Sequence, residues 1–389
     1  MSVTRPAGFK AAGVAIGIKA GAVPDLAVVS TEDGGPVAAA GVFTSNLAAA
    51  APVQVSREHL VASSGRAAAV VLNSGNANAA TGETGRRDAR RMAELTAAGL
   101  GCAIEEVLVC STGLIGFYLP AECLETGVPA AIGALESSEE AGVAAARAIM
   151  TTDTRMKTTD IDGGGFRIGG MAKGAAMLAP NMATMLAVLT TDAGAEPGDL
   201  AAALRRAVAG SFNEMTLDGA TSTNDTVLVL ASGRAGPVAM ARLEEALGQA
   251  CEDLAAQMAA DAEGGTRVAT IRVTGARSPA EAAAGARKVA ESQLVQCSLH
   301  GGDPYWGRIV SELGSAGIGF DLDRVSVAYG GHVVCRGGVA AEHDRAAVSA
   351  HMQGVKVEVL ADLGLGAGEA RIVTRDLTAA YILENERTS

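Results

Sequence analysis

Residues 173–186 read Lys-Gly-Ala-Ala-Met-Leu-Ala-Pro-Asn-Met-Ala-Thr-Met-Leu, and this stretch is the most informative part of the chain. A Pro-Asn turn signal precedes the bond between Ala183 and Thr184, and an apolar run follows it. This arrangement predicts a self-cleavage site. A break before Thr184 would leave that residue with a hydroxyl nucleophile and a free α-amino group of pKa about 7.7 to 8.0, which can act as its base.

Length and charge narrow the function classes. The chain has 389 residues, which predicts two domains or two substantial lobes with a buried core. Its formal net charge of -12 argues against a nucleic-acid-binding protein, which would carry a concentrated basic face. The sequence contains no run of 18 apolar residues that would span a membrane. We therefore expect a cytoplasmic protein with neither a nucleic-acid nor a membrane partner.

Metal and nucleotide sites are not indicated. The six cysteines are scattered and never form C-x-x-C, so buried free thiols are expected rather than a zinc cluster or a redox pair. The segment 301–308 contains the only tryptophan, Trp306, and it lacks the glycine spacing of a P-loop or of a dinucleotide-binding fingerprint. We expect no cofactor.

The hydrophobic pattern predicts a mixed α/β fold. Short apolar runs bounded by turn residues predict strands within 11–43, 66–73, 267–275, 325–336 and 355–375. Long, Ala-rich amphipathic stretches predict helices at 84–99, 139–150, 197–209, 241–262 and 279–293. This mixture favours a sandwich in which helices cover sheets.

Self-cleavage requires a group that stabilises the oxyanion formed on the carbonyl of Ala183. Residues 110–116 read Cys-Ser-Thr-Gly-Leu-Ile-Gly, where a Gly-rich turn can expose backbone N–H groups and Thr112 adds a hydroxyl donor. An ordinary loop is the alternative interpretation of so short a motif.

Two polar segments allow a functional and a structural interpretation. Residues 73–83 combine three Asn, two Gly and two hydroxyl side chains after an apolar strand, and residues 218–226 precede the strand 227–231. Either segment could line a polar pocket, or its side chains could satisfy backbone groups in a turn and helix-cap network.

Charged residues in two further segments suit an amino-acid substrate. The hydroxyls of residues 151–154 and the ammonium of Lys173 could bind an anionic group. Glu263, at the end of a predicted helix, could bind an ammonium, although a single Glu in that position is usually solvated.

The chain resembles the glutamate N-acetyltransferase family, also called the ornithine acetyltransferase family, of arginine biosynthesis. The similarity extends over nearly the whole chain and is carried, in order, by residues 41–46, 73–83, 111–113, 150–154, 173–186, 303–308 and 376–378. Each segment alone is short, and their common order makes the resemblance specific.

The resemblance implies a precursor that cleaves itself between Ala183 and Thr184. The products would be an α chain of residues 1–183 and a β chain of residues 184–389, the latter including a C-terminal α/β lobe from roughly 280 to 389. The two chains would assemble as an α2β2 heterotetramer. The implied fold is the helix-sheet-sheet-helix sandwich of the ornithine acetyltransferases and self-processing aminopeptidases.

The implied reaction is a ping-pong acetyl transfer through an acyl-enzyme on Thr184. N-acetyl-L-ornithine donates the acetyl group and leaves as L-ornithine, and L-glutamate accepts it to give N-acetyl-L-glutamate. Some family members also accept acetyl-CoA as a substrate.

The resemblance assigns roles to residues. Thr112 and Gly113 would stabilise the oxyanion, and the substrate-binding residues would be Thr151, Lys173, Thr184, Glu263, Asn385 and Ser389. The C-terminal match is imperfect, because the family has its Asn five positions before a final Thr or Ser and Asn385 lies four before Ser389. Thr388 and Ser389 therefore compete for the last role.

Two other functions compete with acetyl transfer. A self-processing aminopeptidase or amidohydrolase on the same scaffold would share the chemistry up to the acyl-enzyme and release the acyl group to water. A non-catalytic ligand-binding protein would have Thr184 as an ordinary buried residue.

Overall fold

The computed structural model describes residues 2–175 and 185–386. The expected cleavage position, Ala183 and Thr184, lies outside the described residues, as do Thr388 and Ser389. The chain forms two compact units. The first comprises the residues up to Asn213 together with Ala220–Met258, and the second comprises Glu214–Gly219 together with the residues from Ala259 onward.

Strands and helices alternate irregularly along the chain. The strands are β1 (Phe9–Val14), β2 (Leu26–Thr31), β3 (Val37–Phe43), β4 (Arg66–Ala67), β5 (Ala69–Asn76), β6 (Val107–Leu114), β7 (Lys157–Asp162), β8 (Arg167–Lys173), β9 (Leu186–Thr191), β10 (Thr226–Ala231), β11 (Val268–Ala276), β12 (Ser326–Tyr329), β13 (His332–Arg336), β14 (Val339–Ala340), β15 (Lys356–Asp362) and β16 (Gly368–Arg375). The α-helices are α1 (Ala51–Ala62), α2 (Gly82–Leu100), α3 (Ala121–Gly133), α4 (Glu139–Ala148), α5 (Pro197–Ala209), α6 (Met240–Ala260), α7 (Pro279–Ala290), α8 (Gln293–Gly301), α9 (Trp306–Gly314), α10 (Arg345–Met352) and α11 (Ala379–Asn385).

The first unit contains two sheets that pack face to face. One sheet has the strand order β1-β2-β5-β6 and the other the order β4-β3-β10-β9-β8-β7. Alternate residues of each strand point to opposite faces, so Ala27 and Val29 of β2 lie in a core with Leu186 and Val188 of the second sheet. The alternate residues Leu26 and Val28 belong to a different core on the outer face.

Helices cover both outer faces. The outer face of the first sheet packs against α1, α2 and α3. On the second sheet α5 packs against β3 and β10. A Cβ atom added to Gly170 of β8 would lie 3.4 Å from Leu254 of α6, so this helix packs on the same outer face. The predicted helix-sheet-sheet-helix sandwich is confirmed in the first unit.

The second unit is built on one six-stranded sheet of order β14-β13-β12-β15-β11-β16. Its helices α7 to α10 pack on one face, and Ile271, Val327 and Val359 lie in the shared core. Strand β15 alternates between buried and exposed residues along its whole length, which is the pattern of a sheet with one covered face.

The predicted helices are confirmed with boundary shifts of a few residues, as are the strand regions. The first strand of the predicted region 11–43 is short, because β1 ends at Val14. The backbone leaves the sheet there, and the N–H of Ile16 donates to the carboxylate of Asp25 at 2.7 Å. Helices α1, α3 and α8 to α11 were not predicted. Helix α3 contains Pro129, a residue that usually signals a helix end.

The expectation of six buried free thiols is confirmed only in part. All six are free, as predicted. Cys110, Cys251 and Cys335 are buried, whereas Cys297 is exposed on α8 and contradicts the expectation of burial. Among the described residues, no helix is both long enough and apolar enough to cross a membrane.

In the second sheet the two strands that follow residue 183, β9 and β10, lie side by side between strands that precede it. β9 pairs antiparallel with β8, from Ile168 opposite Thr191 to Lys173 opposite Leu186. β10 pairs parallel with β9 on one side and antiparallel with β3 on the other. A break between Ala183 and Thr184 would therefore divide one sheet between two chains without removing any of its ladder hydrogen bonds.

We predict that a chain cleaved between Ala183 and Thr184 keeps its two pieces together. Both strand ladders and the shared core hold β9 and β10 against β3 and β8, so separation would require unfolding of the first unit. Native mass spectrometry near neutral pH should detect complexes with the two pieces in equal number, and denaturing mass spectrometry should resolve them. Pieces that separate without denaturant would contradict this sheet arrangement.

Candidate active site

The two residues expected to stabilise an oxyanion lie at the end of β6. This strand runs parallel to β5, with Ser74 opposite Thr112 and Gly75 opposite Gly113. Thr112 is buried, with 1% of its surface exposed. Gly113 has φ of +135°, and a Cβ added there would lie 2.3 Å from the carbonyl carbon of Gly75. Only glycine fits this position, because the two backbones touch.

Lys173 contacts Thr112 directly. Its ammonium at the end of β8 donates to the Thr112 hydroxyl oxygen at 3.1 Å, and 3% of the lysine surface is exposed. Since that oxygen accepts the ammonium hydrogen bond, the hydroxyl proton of Thr112 is directed elsewhere and can be donated to another oxygen. The positive charge also makes the hydroxyl a stronger donor.

Asp153 connects Thr151 to Lys173. One carboxylate oxygen accepts from the N–H of Thr151 at 3.0 Å, and the other accepts from the N–H of Gly174 at 2.8 Å. That second oxygen also pairs with the ammonium of Lys157 at 2.6 Å, and the side chains of this ion pair are 0% and 1% exposed. Asp153 therefore joins the segment at residue 151 to the end of β8.

The pKa of Asp153 is depressed. Burial alone would raise the pKa, but the charges of Lys173 and Lys157 and the hydrogen bond from Gly174 outweigh it and place the pKa at about 2. The carboxylate is charged at neutral pH. It offsets part of the positive charge that two buried lysines would otherwise accumulate.

A third lysine lies near the same charges. Lys19 donates through its ammonium to the carbonyl of Met150 at 2.6 Å and to that of Pro24 at 3.1 Å. Burial lowers the pKa of Lys19, the charge of Asp25 opposes that effect, and the charge of Lys173 adds to it. Lys19 was missed as a site residue, since it lies in no distinguishing pattern. Asp153 lies within the segment 151–154 that the sequence singled out, but only the hydroxyls of that segment were given a role.

The segment 73–83 is a structural network. The Ser111 hydroxyl donates to the amide oxygen of Asn73 at 2.5 Å, and the amide of Asn73 donates to the carbonyl of Asn76 at 2.8 Å. The Thr81 hydroxyl donates to Asn78 at 2.7 Å, and Asn78 donates to the Gly85 carbonyl at 2.8 Å. Of the two interpretations offered by the sequence, these contacts support a structural network, although Thr81, the N-cap residue of α2, makes no side-chain cap hydrogen bond.

Cys110, two residues before Thr112, is not a nucleophile at neutral pH. Burial raises the pKa of its thiol to about 12. The thiol therefore stays protonated and unreactive.

Glu263 and Asn385 meet in the second unit. The amide of Asn385 donates to the Glu263 carboxylate at 2.9 Å and to the carbonyl of Tyr381 at 2.9 Å. Glu263 is 8% exposed, so the alternative interpretation of a solvated side chain is wrong. Its carbonyl accepts from Arg375 at 2.9 Å, and the Arg375 guanidinium lies 3.9 Å from the centre of the Tyr381 ring.

The structure thus brings Thr112, Gly113 and Lys173 together in the first unit and connects Thr151 to them through Asp153. In the second unit it joins Glu263 to Asn385. The expected nucleophile Thr184, its neighbour Ala183 and Ser389 lie outside the described residues. Within the described ranges, no group of three or more His, Cys, Asp or Glu side chains could hold a metal ion.

The arrangement in the first unit suits acyl chemistry. A buried hydroxyl beside a glycine at a strand end, polarised by an ammonium, can stabilise negative charge on a carbonyl oxygen. Leu186, opposite Lys173 in the β8–β9 ladder, is two residues beyond Thr184 in the sequence.

Comparisons with known proteins point to one family. A model of the ArgJ family matches residues 10–387. The arginine biosynthesis bifunctional protein ArgJ of Mycobacterium bovis is 48% identical over 394 residues, covering 100% of this chain and 96% of the relative. The protein of the same description from Thermobifida fusca is 47% identical over 390 residues and covers 100% of both.

Solved structures show similarity to parts of the chain. The crystal structure of ornithine acetyltransferase complexed with ornithine from Mycobacterium tuberculosis is 44% identical, with a TM-score of 0.42, and covers 46% of this chain and 94% of that one. An ArgJ structure from Bacillus halodurans is 34% identical, with a TM-score of 0.48, and covers 50% of this chain and 95% of that one.

We predict that Asp153→Asn lowers the free energy of unfolding of the first unit by about 3–5 kcal/mol at neutral pH. The buried ammonium of Lys157 would lose its carboxylate partner. Urea unfolding measures the change. Asp162→Asn is the matched control, because the Asp162 side chain is 69% exposed and its removal should have little effect.

The same pair of variants tests the pH dependence. Because the pKa of Asp153 in the folded protein is below its unfolded value of about 3.9, its stabilisation is fully present above about pH 4 and is lost as the pH falls toward 2. The wild-type protein should therefore lose more stability than Asp153→Asn over that range. If the free energy of unfolding falls equally with pH in the wild type and in Asp153→Asn, the pKa of Asp153 is not depressed.

Proposed function

The chain belongs to the ArgJ family, and we propose that it transfers an acetyl group from N-acetyl-L-ornithine to L-glutamate through an acyl-enzyme on Thr184. We further propose that Thr184 becomes an N-terminal residue by self-cleavage after Ala183. The observation that supports this chemistry best is the buried contact between Lys173 and Thr112 beside Gly113.

In the proposed first half-reaction the α-amino group of Thr184 removes the proton of its own hydroxyl. The hydroxyl oxygen attacks the acetyl carbonyl of N-acetylornithine. The Thr112 hydroxyl and the Gly113 N–H stabilise the resulting oxyanion. The carbon–nitrogen bond breaks, the ornithine amine leaves with the proton, and the acetyl group remains as an ester on Thr184.

In the second half-reaction the amine of glutamate attacks the ester carbonyl through the same oxyanion site. The ester bond to Thr184 breaks, the hydroxyl regains its proton, and N-acetylglutamate leaves. The cycle needs no cofactor, because the acetyl group passes between two amines of similar basicity. Acetyl-CoA, a more reactive acetyl donor, is a further proposed substrate.

We propose that the acidic and basic side chains recognise the amino-acid parts of both substrates. By resemblance to the family, Thr151, Lys173, Thr184, Glu263, Asn385 and Ser389 bind substrate. Lys173 suits a carboxylate and Glu263 suits an ammonium. The α2β2 assembly and the cytoplasmic location also remain proposals.

We predict that Thr184→Ala abolishes both cleavage and acetyl transfer, since it removes the oxygen that attacks in each reaction. Thr184→Ser, which keeps a hydroxyl, should still be cleaved. Intact mass under denaturing conditions measures cleavage. A Thr184→Ala chain that is cut at the same bond would show that the nucleophile is another residue.

The transfer assay separates this proposal from hydrolysis. The wild-type protein supplied with N-acetylornithine and glutamate should form N-acetylglutamate in preference to free acetate. Predominant acetate would favour the aminopeptidase or amidohydrolase alternative. An uncut wild-type chain that gains no acetyl group would favour a non-catalytic protein.

We predict that Thr112→Ala slows cleavage by about 10²- to 10³-fold, the usual effect of removing one oxyanion donor. Thr96→Ala is the matched control, because the Thr96 hydroxyl is also buried and its hydrogen bond at 2.8 Å stays within α2. The loss of precursor over time, followed by intact mass, measures the rate. A rate for Thr112→Ala equal to that of Thr96→Ala would remove Thr112 from the oxyanion site.

A further inference from the structure

Two adjacent buried residues, Asn224 and Asp225, stand at the start of β10 and have no role in the reaction described above. Both are almost fully buried, with 3% and 0% of their surfaces exposed. β10 runs parallel to β9, with Thr226 opposite Leu186. The two residues therefore lie at the end of the sheet where β9 begins.

Asp225 binds the backbone of Met185, the residue that follows Thr184 in the sequence. One of its carboxyl oxygens accepts from the N–H of Met185 at 3.0 Å. That N–H belongs to the peptide group that joins Met185 to Thr184. The contact restrains the rotation of this peptide group, since Met185 is itself buried with 1% of its surface exposed.

Asn224 contacts the backbone next to the oxyanion residues. Its side-chain amide donates to the carbonyl of Ser111 at 2.8 Å and to that of Ala77 at 2.6 Å. The Ser111 carbonyl belongs to the peptide group whose nitrogen is that of Thr112. Asn224 therefore fixes the plane of the peptide group that leads into the oxyanion residues.

The second carboxyl oxygen of Asp225 is unusual. It is buried and makes no hydrogen bond within the described part of the chain. Burial raises the pKa of Asp225 well above its usual value, more than the hydrogen bond from Met185, the side-chain interaction with Ser222 and the charge of Lys173 lower it. Packing alone does not explain a carboxyl here, because a buried polar atom without a partner costs free energy.

We propose that Asp225 is a positioning residue that, together with Asn224, sets the chain after Thr184 against the oxyanion residues. This inference depends on the proposed function, because it assigns Asp225 to the alignment of Thr184 with Thr112 and Gly113. Asn224 and Asp225 are joined by one peptide bond. The Met185 N–H bound by Asp225 and the Ser111 carbonyl bound by Asn224 are therefore held at a nearly constant distance from each other. A displacement of about 1 Å between nucleophile and oxyanion donors can slow a reaction by about 10²-fold.

The test compares Asp225→Ala with Asp225→Asn and with a control at the far end of β9. Asp192 is the matched control, since its buried carboxylate also accepts backbone N–H groups, from Arg167 at 2.7 Å and Ala7 at 3.3 Å. For each variant we would measure the melting temperature, the rate of precursor loss by intact mass, and kcat and KM for acetyl transfer per cleaved chain.

Asp225→Ala should slow cleavage by about 10²-fold and lower kcat while KM changes little, because alignment rather than substrate affinity is lost. Asp225→Asn should recover most of the rate, since its amide oxygen can accept from Met185. Asp192→Ala should lower the melting temperature without slowing either reaction. This combination would support a positioning role.

The proposal is overturned if Asp225→Ala behaves like Asp192→Ala, or if Asp225→Asn is as slow as Asp225→Ala. If Asp225→Ala does not fold, Asn224→Ala tests the same alignment from the side of Ser111, and normal rates in that variant overturn the proposal. A wild-type chain that stays uncut and transfers no acetyl group refutes the proposed function and this inference with it. If the wild type is cleaved and active and Asp225→Ala cleaves and transfers acetyl at the wild-type rates, the positioning role is refuted and the proposed function is not.

Discussion

Strand β9 is hydrogen-bonded on both sides, to β8 and to β10, and the site in the first unit depends on this constraint. The β8 ladder places Leu186 opposite Lys173, and the β10 ladder places it opposite Thr226. Residues from three parts of the chain therefore meet at one end of the sheet. The ladder also explains how the chain could be cut before β9 without loss of the fold, since the interior of the sheet continues to hold both pieces.

The buried charges around this end of the sheet cost stability and join distant segments of the chain. Asp153, Lys157 and Lys173 are all buried, and an apolar core of similar volume would be at least as stable. The Asp153 carboxylate compensates part of the positive charge and at the same time anchors the backbone at Thr151 and Gly174.

In the second unit, the contact between Glu263 and Asn385 depends on a buried arginine. Arg375 is almost fully buried at the end of β16 and contacts both the carbonyl of Glu263 and the ring of Tyr381. The Thr378 hydroxyl caps α11 by accepting from the N–H of Tyr381 at 3.2 Å. These contacts direct α11 so that Asn385 reaches the Glu263 carboxylate. A residue near the end of the chain thereby meets one that is 122 positions earlier.

The sequence by itself determined the mixed α/β class, the long amphipathic helices, the candidate nucleophile and the glycine beside Thr112, because periodicity and short motifs are local properties of the chain. It left α1, α3 and the short helices α8 to α11 undetected. It also did not identify Asp153, Lys19 or Asp225, whose contacts are with distant segments. It could not decide whether residues 73–83 form a pocket or a network, since that depends on Ser111 in the neighbouring strand. Strand order and register were decided only by the tertiary structure, because they follow from which apolar faces bury each other.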